Sequence, residues 1–595
     1  MKIFKKNINL YSLLFGCIIL GTLSCSQEDL GSFIPKDPNL TFGQSDTMLV
    51  AKDAADYEVR VTTNLPWRVK TDADWIVLNT QRGLESDTVS FSVAKNPTTQ
   101  PRTAKLIAWI TSEYQNVIVI RQEAGDPLPD SSVDYYVKKT GSVDNDGLAW
   151  EKSTTLDKAL GLAGSNDRIH IAAGTYVPET VVTGGSASDN GDKTFEIKAN
   201  VILIGGYPAD ASAGAVVNAS VNKVVLSGAF SGANAYHVVT ITAPQEENRK
   251  VIFNNIDITG GKAAATGTAA LSINGLSYIR LNGGAMIIGR AVAVFNGCRI
   301  YENQSLSHTP GVYVFAGSNV TFNGCSIDNN KGLSASGGNG GGLWNDASTV
   351  YLINSSVSSN ENSGVAAGIY AYNASTASKT YLYNTTIEKN KAPHKTGYYG
   401  RENSEAVMVN CTVSGNYTTN ASNTGAGVCL YANATKSKLD LISCTITNNI
   451  SAGTADAAGG VRINDANCTL NIYNTIISGN ISNGTVGDIY GPATATYTKS
   501  FTIISNKVYD NSGIEVAGKV FDYTTMLAPL AKNGGQTSTC LLTGENNPAV
   551  TLGMSSAQLL TLGIGYDPII AEGIITFDQT GLTRSGKTII GACVK

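Results

Sequence analysis

The chain has 595 residues, 43 Lys and Arg against 47 Asp and Glu, a formal net charge of −4 and 62 glycines. Such a length exceeds one compact core, so the chain divides into domains or contains a repeat array. With only 15% charged residues there is no basic stripe to neutralise phosphates, which excludes nucleic acid as a partner. Abundant Gly, Asn, Ser, Thr and Val favours solvated β-structure over helices.

In chain order, residues 1–24 read as a targeting segment. Lys2, Lys5 and Lys6 form a basic start, and the apolar stretch from Leu10 to Leu23 has signal-peptide length, short for a membrane span. The run Thr22, Leu23, Ser24, Cys25 resembles a bacterial lipobox, departing from it by a Thr where Leu is usual. The resemblance implies acylation of Cys25. Cys17, with Leu14 three before it, is the less suitable candidate because apolar residues continue past it. Glu28 and Asp29 just behind the anchor resemble the outward-display signal of Gram-negative surface lipoproteins. The expected location is therefore the cell outer membrane, lipid-anchored and surface-exposed. No C-x-x-C pair exists among the ten cysteines, so no zinc pattern is present.

Residues 25–37 read as a tether, and residues 38–126 as a small all-β domain. The latter has short alternating runs such as Thr88–Val93 and Val117–Ile120, about the size of an Ig-like sandwich. Pro66 with Trp67, Trp75, Asn96 with Pro97, Arg102 and the closing stretch Arg121–Gly125 resemble a BACON domain, a carbohydrate-binding-associated module that often serves as a spacer. Trp67 and Trp75 are expected in its core rather than on a ligand platform.

The remainder, 127–595, starts with a strand at Asp134–Val137, an amphipathic stretch at Thr155–Ala163 with Leu156, Ala159, Leu160 and Ala163 on one face, and a strand at Arg168–Ile171. A helix here would cover an otherwise open sheet edge, making 134–176 an N-terminal cap. Then a unit recurs: apolar residue, a small residue or Asn, then Cys, Ser or Thr, an Ile or Val, and a terminal Asn. Phe295–Asn303 and Phe322–Asn330 are two copies. The later ones end at Asn360, Asn390, Asn416, Asn449 and Asn480, so the terminal Asn residues lie 26–33 positions apart. Upstream of the units a second strand starts after Gly284, Gly311, Gly342, Gly368, Gly427 and Gly460, while around Gly397–Gly400 the motif is lost. Alternation inside each unit excludes helical solenoids, and the period is short for a propeller blade.

Stacked rungs therefore predict a right-handed parallel β-helix of the pectate-lyase-like solenoid kind, preceded by the small Ig-like sandwich. Asn residues would stack at a corner, tolerating a left-handed conformation and bonding amide to amide. Glycines would permit a bend, and Ile or Val would form the core. Cys298, Cys325, Cys411 and Cys444 share their slot with Ile256, Ser355, Thr385 and Thr475, which marks buried packing thiols. The start from Tyr136 to Tyr176, the segments Thr194–Tyr207 and Lys223–Val239, and the end motifs Leu527–Gly535, Asp578–Arg584 and Ile590–Ala592 resemble exported β-helix proteins of the choice-of-anchor-Q and polymorphic-outer-membrane-repeat kind. The resemblance implies fold and export and no particular reaction. The region from about 500 to 595 would close the helix, with Cys540 and Cys593 as the expected disulfide, because both lie in the closing motif and export permits oxidation.

Enzymatic constellations are not evident. No paired carboxylates of the glycosidase type occur, Asp is sparse between 251 and 480, and Arg280, Arg290 and Arg299 lack an acidic cluster. No catalytic residue, metal site or cofactor is expected. Asp144 and Asp146 are the one candidate for Ca²⁺, a plain turn being the simpler reading. His170 and His237 read as structural.

What stands out is aromatic. Counting from each second-strand Gly, the second position should face outward and holds Met286, Tyr313, Trp344, Tyr370, Cys429 and Arg462. The fourth holds Phe315, Asp346, Tyr372, Tyr431 and Asn464. An exposed ladder of Tyr313, Trp344, Tyr370, Phe315, Tyr372 and Tyr431 would stack sugar rings. A covered ladder would only stabilise the fold. The expected protein is a monomeric surface lipoprotein that binds a polysaccharide or host glycan, or acts as an adhesin. A polysaccharide lyase or a purely structural stalk are the alternatives. Cys25→Ser is expected to release the protein from membrane fractions. A variant that stays membrane-bound, with no lipid label on the parent, contradicts the anchor.

Overall fold

The computed structural model describes residues 37–593 apart from 44–46, 74, 95, 97–100, 112–113, 124–131, 246, 248, 266–269, 335–336, 423, 455–456, 493–495, 563–574, 585 and 587. Cys25 and the signal and tether segments lie outside the described residues. The chain forms two compact units, which divide between Asp130 and Ser131.

The first unit has a four-stranded and a five-stranded sheet. Alternation along Thr88–Val93 and Arg102–Thr111 puts Val89, Phe91, Leu106 and Ala108 in one core with Trp67, Ile118 and Ile120. Trp67 is 2% exposed, and its indole N–H donates to Glu85 O at 2.8 Å. Trp75 sits at the core margin beneath the Arg102 guanidinium, 4.4 Å from its ring. The polar residues close to it form a lock: Arg102 Nε donates to Gln122 Oε1, and Gln122 Nε2 donates to Ala51 O and Ala94 O.

The second unit is the parallel β-helix. Three long sheets of twelve, thirteen and ten described strands run its length, and successive rungs pair in parallel with equivalent residues in register, as in Phe253, Phe295, Phe322, Leu352 and Leu382. The first three of these stack ring on ring at 5.0 Å spacing inside the core. A helix at Leu156–Leu162, capped by the Thr155 hydroxyl, buries Leu156, Ala159 and Leu160 over the first rung, where a bare end would otherwise expose unpaired groups. The rung at Gly397–Gly400 is regular: Tyr398–Arg401 pairs with Ile369–Tyr372 before it and Val428–Tyr431 after it.

A buried asparagine ladder holds the corner. Asn303, Asn330, Asn360, Asn390, Asn416 and Asn449 each donate Nδ2–H to the Oδ1 of the next Asn at 2.8–3.0 Å. That Oδ1 also accepts the preceding Asn's backbone N–H. The second Nδ2 proton goes back one rung, for example from Asn390 to Val357 O. The ladder ends where Asn480 donates to Asp488 Oδ1. The left-handed residue is the one before each Asn, Glu302, Asn329, Ser359, Lys389 and Asn448 among them. The Asn is therefore selected for its amide and not for its backbone. The glycine column has a different cause from the expected bend. A Cβ on Gly368 would lie 2.2 Å from Gly397 O, and one on Gly397 would lie 2.3 Å from Gly427 O, so close backbone approach excludes any side chain.

The Cys slot has a chemical rule. Cys325 Sγ, Ser355 Oγ, Thr385 Oγ1, Cys411 Sγ and Cys444 Sγ all donate to the core-column carbonyl of the preceding rung, Phe295, Phe322, Leu352, Leu382 and Met408 respectively. From Cys325 to Cys444 the slot takes a small side chain that carries a hydrogen-bond donor, while Ile256, level with Cys298 one rung earlier, fills it with an apolar side chain; the thiols are buried and free.

The C-terminal region does more than close the end, because it folds back along the flank. Gln579 bridges Thr386 and Thr412. Buried Arg584 donates to Asn410 Oδ1, Asn474 donates to Ile589 O, and Met554, Leu559 and Ile575 cover Tyr383, Val407 and Val409. Cys540 and Cys593 do not form the expected disulfide. Both are buried free thiols, with burial pushing each up to about 12. Two outcomes follow. Asn390→Ala strips the acceptor from two buried N–H groups of Asn360 and is expected to destabilise by about 3 kcal/mol, whereas Cys411→Ser stays within about 1 kcal/mol, as thermal unfolding would show. Native alkylation should leave Cys298, Cys325, Cys411 and Cys444 unlabelled, and rapid labelling would contradict the packing slot.

Candidate functional site

The aromatic candidates lie on the outer side of the ten-strand sheet. Register places Tyr313, Trp344, Tyr370, Tyr399, Cys429 and Arg462 in one column. On the rung before them Ile287, and not Met286, occupies the column, and Met286 is in the core. The alternate column brings Tyr372, Arg401 and Tyr431 together. Tyr399 and Arg401 were not legible as members because Gly397 is followed by Tyr398, where the other second-strand glycines are followed by Ala, Val, Leu or Ile. The spacing of Gly397 from Gly368 and Gly427 is the signal that reveals them.

The rings are in contact. Centroid separations are 4.9 Å for Tyr313 and Trp344, 5.5 Å for Trp344 and Tyr370, 5.4 Å for Tyr370 and Tyr399, and 5.6 Å for Tyr370 and Tyr372. Tyr313 and Phe315 stack at 4.9 Å. The expectation that all six rings are exposed is corrected. Phe315 is 6% exposed, beneath a hairpin, Ala270–Ile273 with Leu276–Ile279, that lays Leu271, Ile273, Leu276 and Tyr278 over it. Tyr370 is 1% exposed, enclosed by Trp344, Tyr372 and Tyr399. Trp344, Tyr313, Tyr372 and Tyr431 stay half-buried. The column is thus a second, outer hydrophobic layer with accessible rings at its margin.

Polar groups border those rings. Asp346 accepts from Tyr313 OH at 2.7 Å and from Asn373 Nδ2 at 2.6 Å. The Arg401 guanidinium lies 4.8 Å from the Tyr372 ring and 5.5 Å from the Tyr431 ring, and Lys395 Nζ lies 5.5 Å from the Tyr399 ring. Burial pushes Lys395 down, with Arg462 and Arg401 acting in the same direction. Burial raises Tyr370 to about 12 and Cys429 to about 11, so both stay neutral near pH 7.

Other candidates have structural partners. Contrary to expectation, Arg280 and Arg299 have acids: Arg280 Nε is 3.3 Å from Asp192, and Arg299 grips Asp328 with two bonds of 2.6 and 3.0 Å. Asp146 caps a turn at Leu148 N, and Asp144 is exposed beside it. His170 bridges Asp134 and Tyr207, and His237 is buried against Gly283 O and pushed down to about 4 by desolvation. Among the described residues no group of three or more His, Cys, Asp or Glu is placed to hold a metal ion.

Two family models match. The right-handed β-helix region spans residues 256–441, and BACON, described as a proposed N-terminal binding domain, spans 65–123. No curated protein matches the chain. Among solved structures the chain is similar to pectate lyase Pel9A, at 11% identity over 73% of this chain and 94% of that one with a TM-score of 0.38. It is similar to a rhamnogalacturonan lyase at 14% identity over 73% and 99%, TM-score 0.31. A Bacteroides ovatus GH5 xyloglucanase matches at 12% identity over 44% and 72%, TM-score 0.14. At these scores none of the three bears on the chemistry of the face.

The two kinds of ring separate by stability. Tyr370→Ala is expected to cost about 3–5 kcal/mol, as for a fully buried aromatic. Tyr372→Ala, at the margin, costs about 1 kcal/mol or less. Equal melting temperatures for the two variants contradict the layered arrangement.

Proposed function

We propose that this protein is a lipid-anchored outer-membrane surface protein, held through Cys25, which binds a polysaccharide or surface glycan on the outer face of the ten-strand sheet. The observation that carries this reading is the margin of the aromatic layer. Tyr372 and Tyr431 flank Arg401 on alternate rungs, with Asp346 and Asn373 alongside. The outer residues of a parallel β-helix repeat at the rung spacing, so Tyr372 and Tyr431 are about 9.6 Å apart along the axis. A glycan laid along the axis could then place the apolar C–H faces of its rings against tyrosines and its hydroxyls against Asp346, Asn373 and Arg401. In this reading the BACON-like sandwich is a spacer, and the β-helix is the binding body of a monomer.

A lyase reading of the same face rests on one observation, the half-buried Lys395 amine, 5.5 Å from the Tyr399 ring with no salt bridge to a carboxylate among the described residues. It requires that Lys395 remove a proton beside a sugar carboxylate, and it makes unsaturated, ultraviolet-absorbing products the readout.

The full chain, purified in detergent and applied to a glycan array, is expected to retain at least one polysaccharide. Tyr431→Ala and Tyr372→Ala are each expected to weaken that binding about tenfold, near 1.4 kcal/mol, with little change in melting temperature. Unchanged affinity in both variants, or no retained glycan at all, overturns the reading. Absorbing products from a bound glycan would replace it with the lyase.

A further inference from the structure

Two cations on this face, Lys395 and Arg401, are not matched by acid among the described residues. Lys395 and Arg401 make no salt bridge to any carboxylate among the described residues; their neighbours are tyrosine rings. Arg401 Nε is buried with no hydrogen-bond partner. Arg462 adds a third positive charge that Lys395 senses. The acids close in sequence or space are committed elsewhere. Asp346 is taken by Tyr313 and Asn373, and Glu402 accepts from Asn433 N, Thr435 N and Thr435 Oγ1 in the next turn. Tyr370, Tyr399 and Cys429 are held neutral by burial, so none can act as counter-ion. Half-buried cations of one sign repel each other and retain a desolvation cost until an anion arrives. Elsewhere on the β-helix more exposed cations are paired: Arg299 with Asp328, and Lys331 and Lys391 with Glu361 between them.

We infer that the face selects acidic glycans, with Lys395 and Arg401 receiving the carboxylate of a uronate-type sugar whose ring rests at Tyr372 and Tyr431. This rests on the glycan-binding reading of the face. A guanidinium offers two donors to a carboxylate and an ammonium adds a point charge, so charge-assisted bonds form where water is already partly excluded. With a net charge of −4, the chain has no general attraction for polyanions, and selectivity must arise at this cluster.

The test uses the full chain in detergent against polygalacturonate, alginate and hyaluronate, each in native and carboxyl-reduced form. At least one native polymer is expected to bind about tenfold or more tightly than its reduced form, with affinity falling as salt rises. Lys395→Gln should abolish that preference, and Lys395→Arg should restore it. Arg401 packs between two rings, so Arg401→Lys, which keeps the charge and loses the fork, is the second variant, expected to lower the preference about threefold. Equal binding of native and reduced forms, or a preference indifferent to Lys395→Gln, overturns the inference and leaves glycan binding standing. Failure of every polymer, native and reduced, overturns both.

Discussion

A single column of buried asparagine amides sets the register on which everything else depends. Each Oδ1 accepts two N–H groups from the rung before, and each Nδ2 supplies one bond forward and one back, for example Asn390 to Asn416 and to Val357 O. A shift of one residue in any rung would strand several buried donors at once, at about 1–3 kcal/mol each. Parallel pairing alone allows such slips, since its hydrogen bonds are nearly uniform along a strand. Amide, thiol slot and close-packed glycines then oblige every rung to present the same side-chain positions outward.

That obligation builds the candidate site. Residues from rungs about thirty positions apart in sequence arrive in contact because the corner holds them in step. The outer face of the ten-strand sheet could have been polar, as much of the thirteen-strand sheet is, with Ser326, Ser356 and Thr386 in register. Instead it carries a second aromatic layer, sealed at one end by the hairpin over Phe315 and left half-open around Tyr372, Arg401 and Tyr431. Burial there has two effects. It keeps the phenols neutral, and it leaves Lys395 and Arg401 in a medium where charge is costly without a partner.

The architecture was legible because its causes are local and repeated. A recurring Asn, a donor-bearing slot and period-two alternation each leave a trace in every rung. The site was legible only as a direction. Alternation correctly turned Tyr313, Trp344 and Tyr370 away from the core, but it has no knowledge of what lies over them, so the hairpin burying Phe315 and the mutual enclosure of Tyr370 went unseen. The Met286 column assignment failed because the strand there starts one residue later relative to its glycine, at Met286–Gly289 against Val312–Phe315. Tyr399 and Arg401 were missed because Tyr398 after Gly397 breaks the pattern of a glycine followed by an aliphatic residue, although the spacing of Gly397 from Gly368 and Gly427 fits the column. The Cys540 and Cys593 bridge was expected as a tie because both lie in the closing motif and export permits oxidation. The fold-back of Gln579 and Arg584 onto Thr386, Thr412 and Asn410 supplies one by hydrogen bonds instead.

Hydrogen exchange of the full chain with and without a bound polysaccharide tests the central claim most directly, because it locates the ligand without altering a residue. Protection is expected to concentrate in Leu343–Asn345, Ile369–Tyr372, Tyr398–Arg401 and Val428–Tyr431, the adjacent strands that carry the open rings and their cations. Protection confined to the sandwich, or to another face of the β-helix, would contradict it.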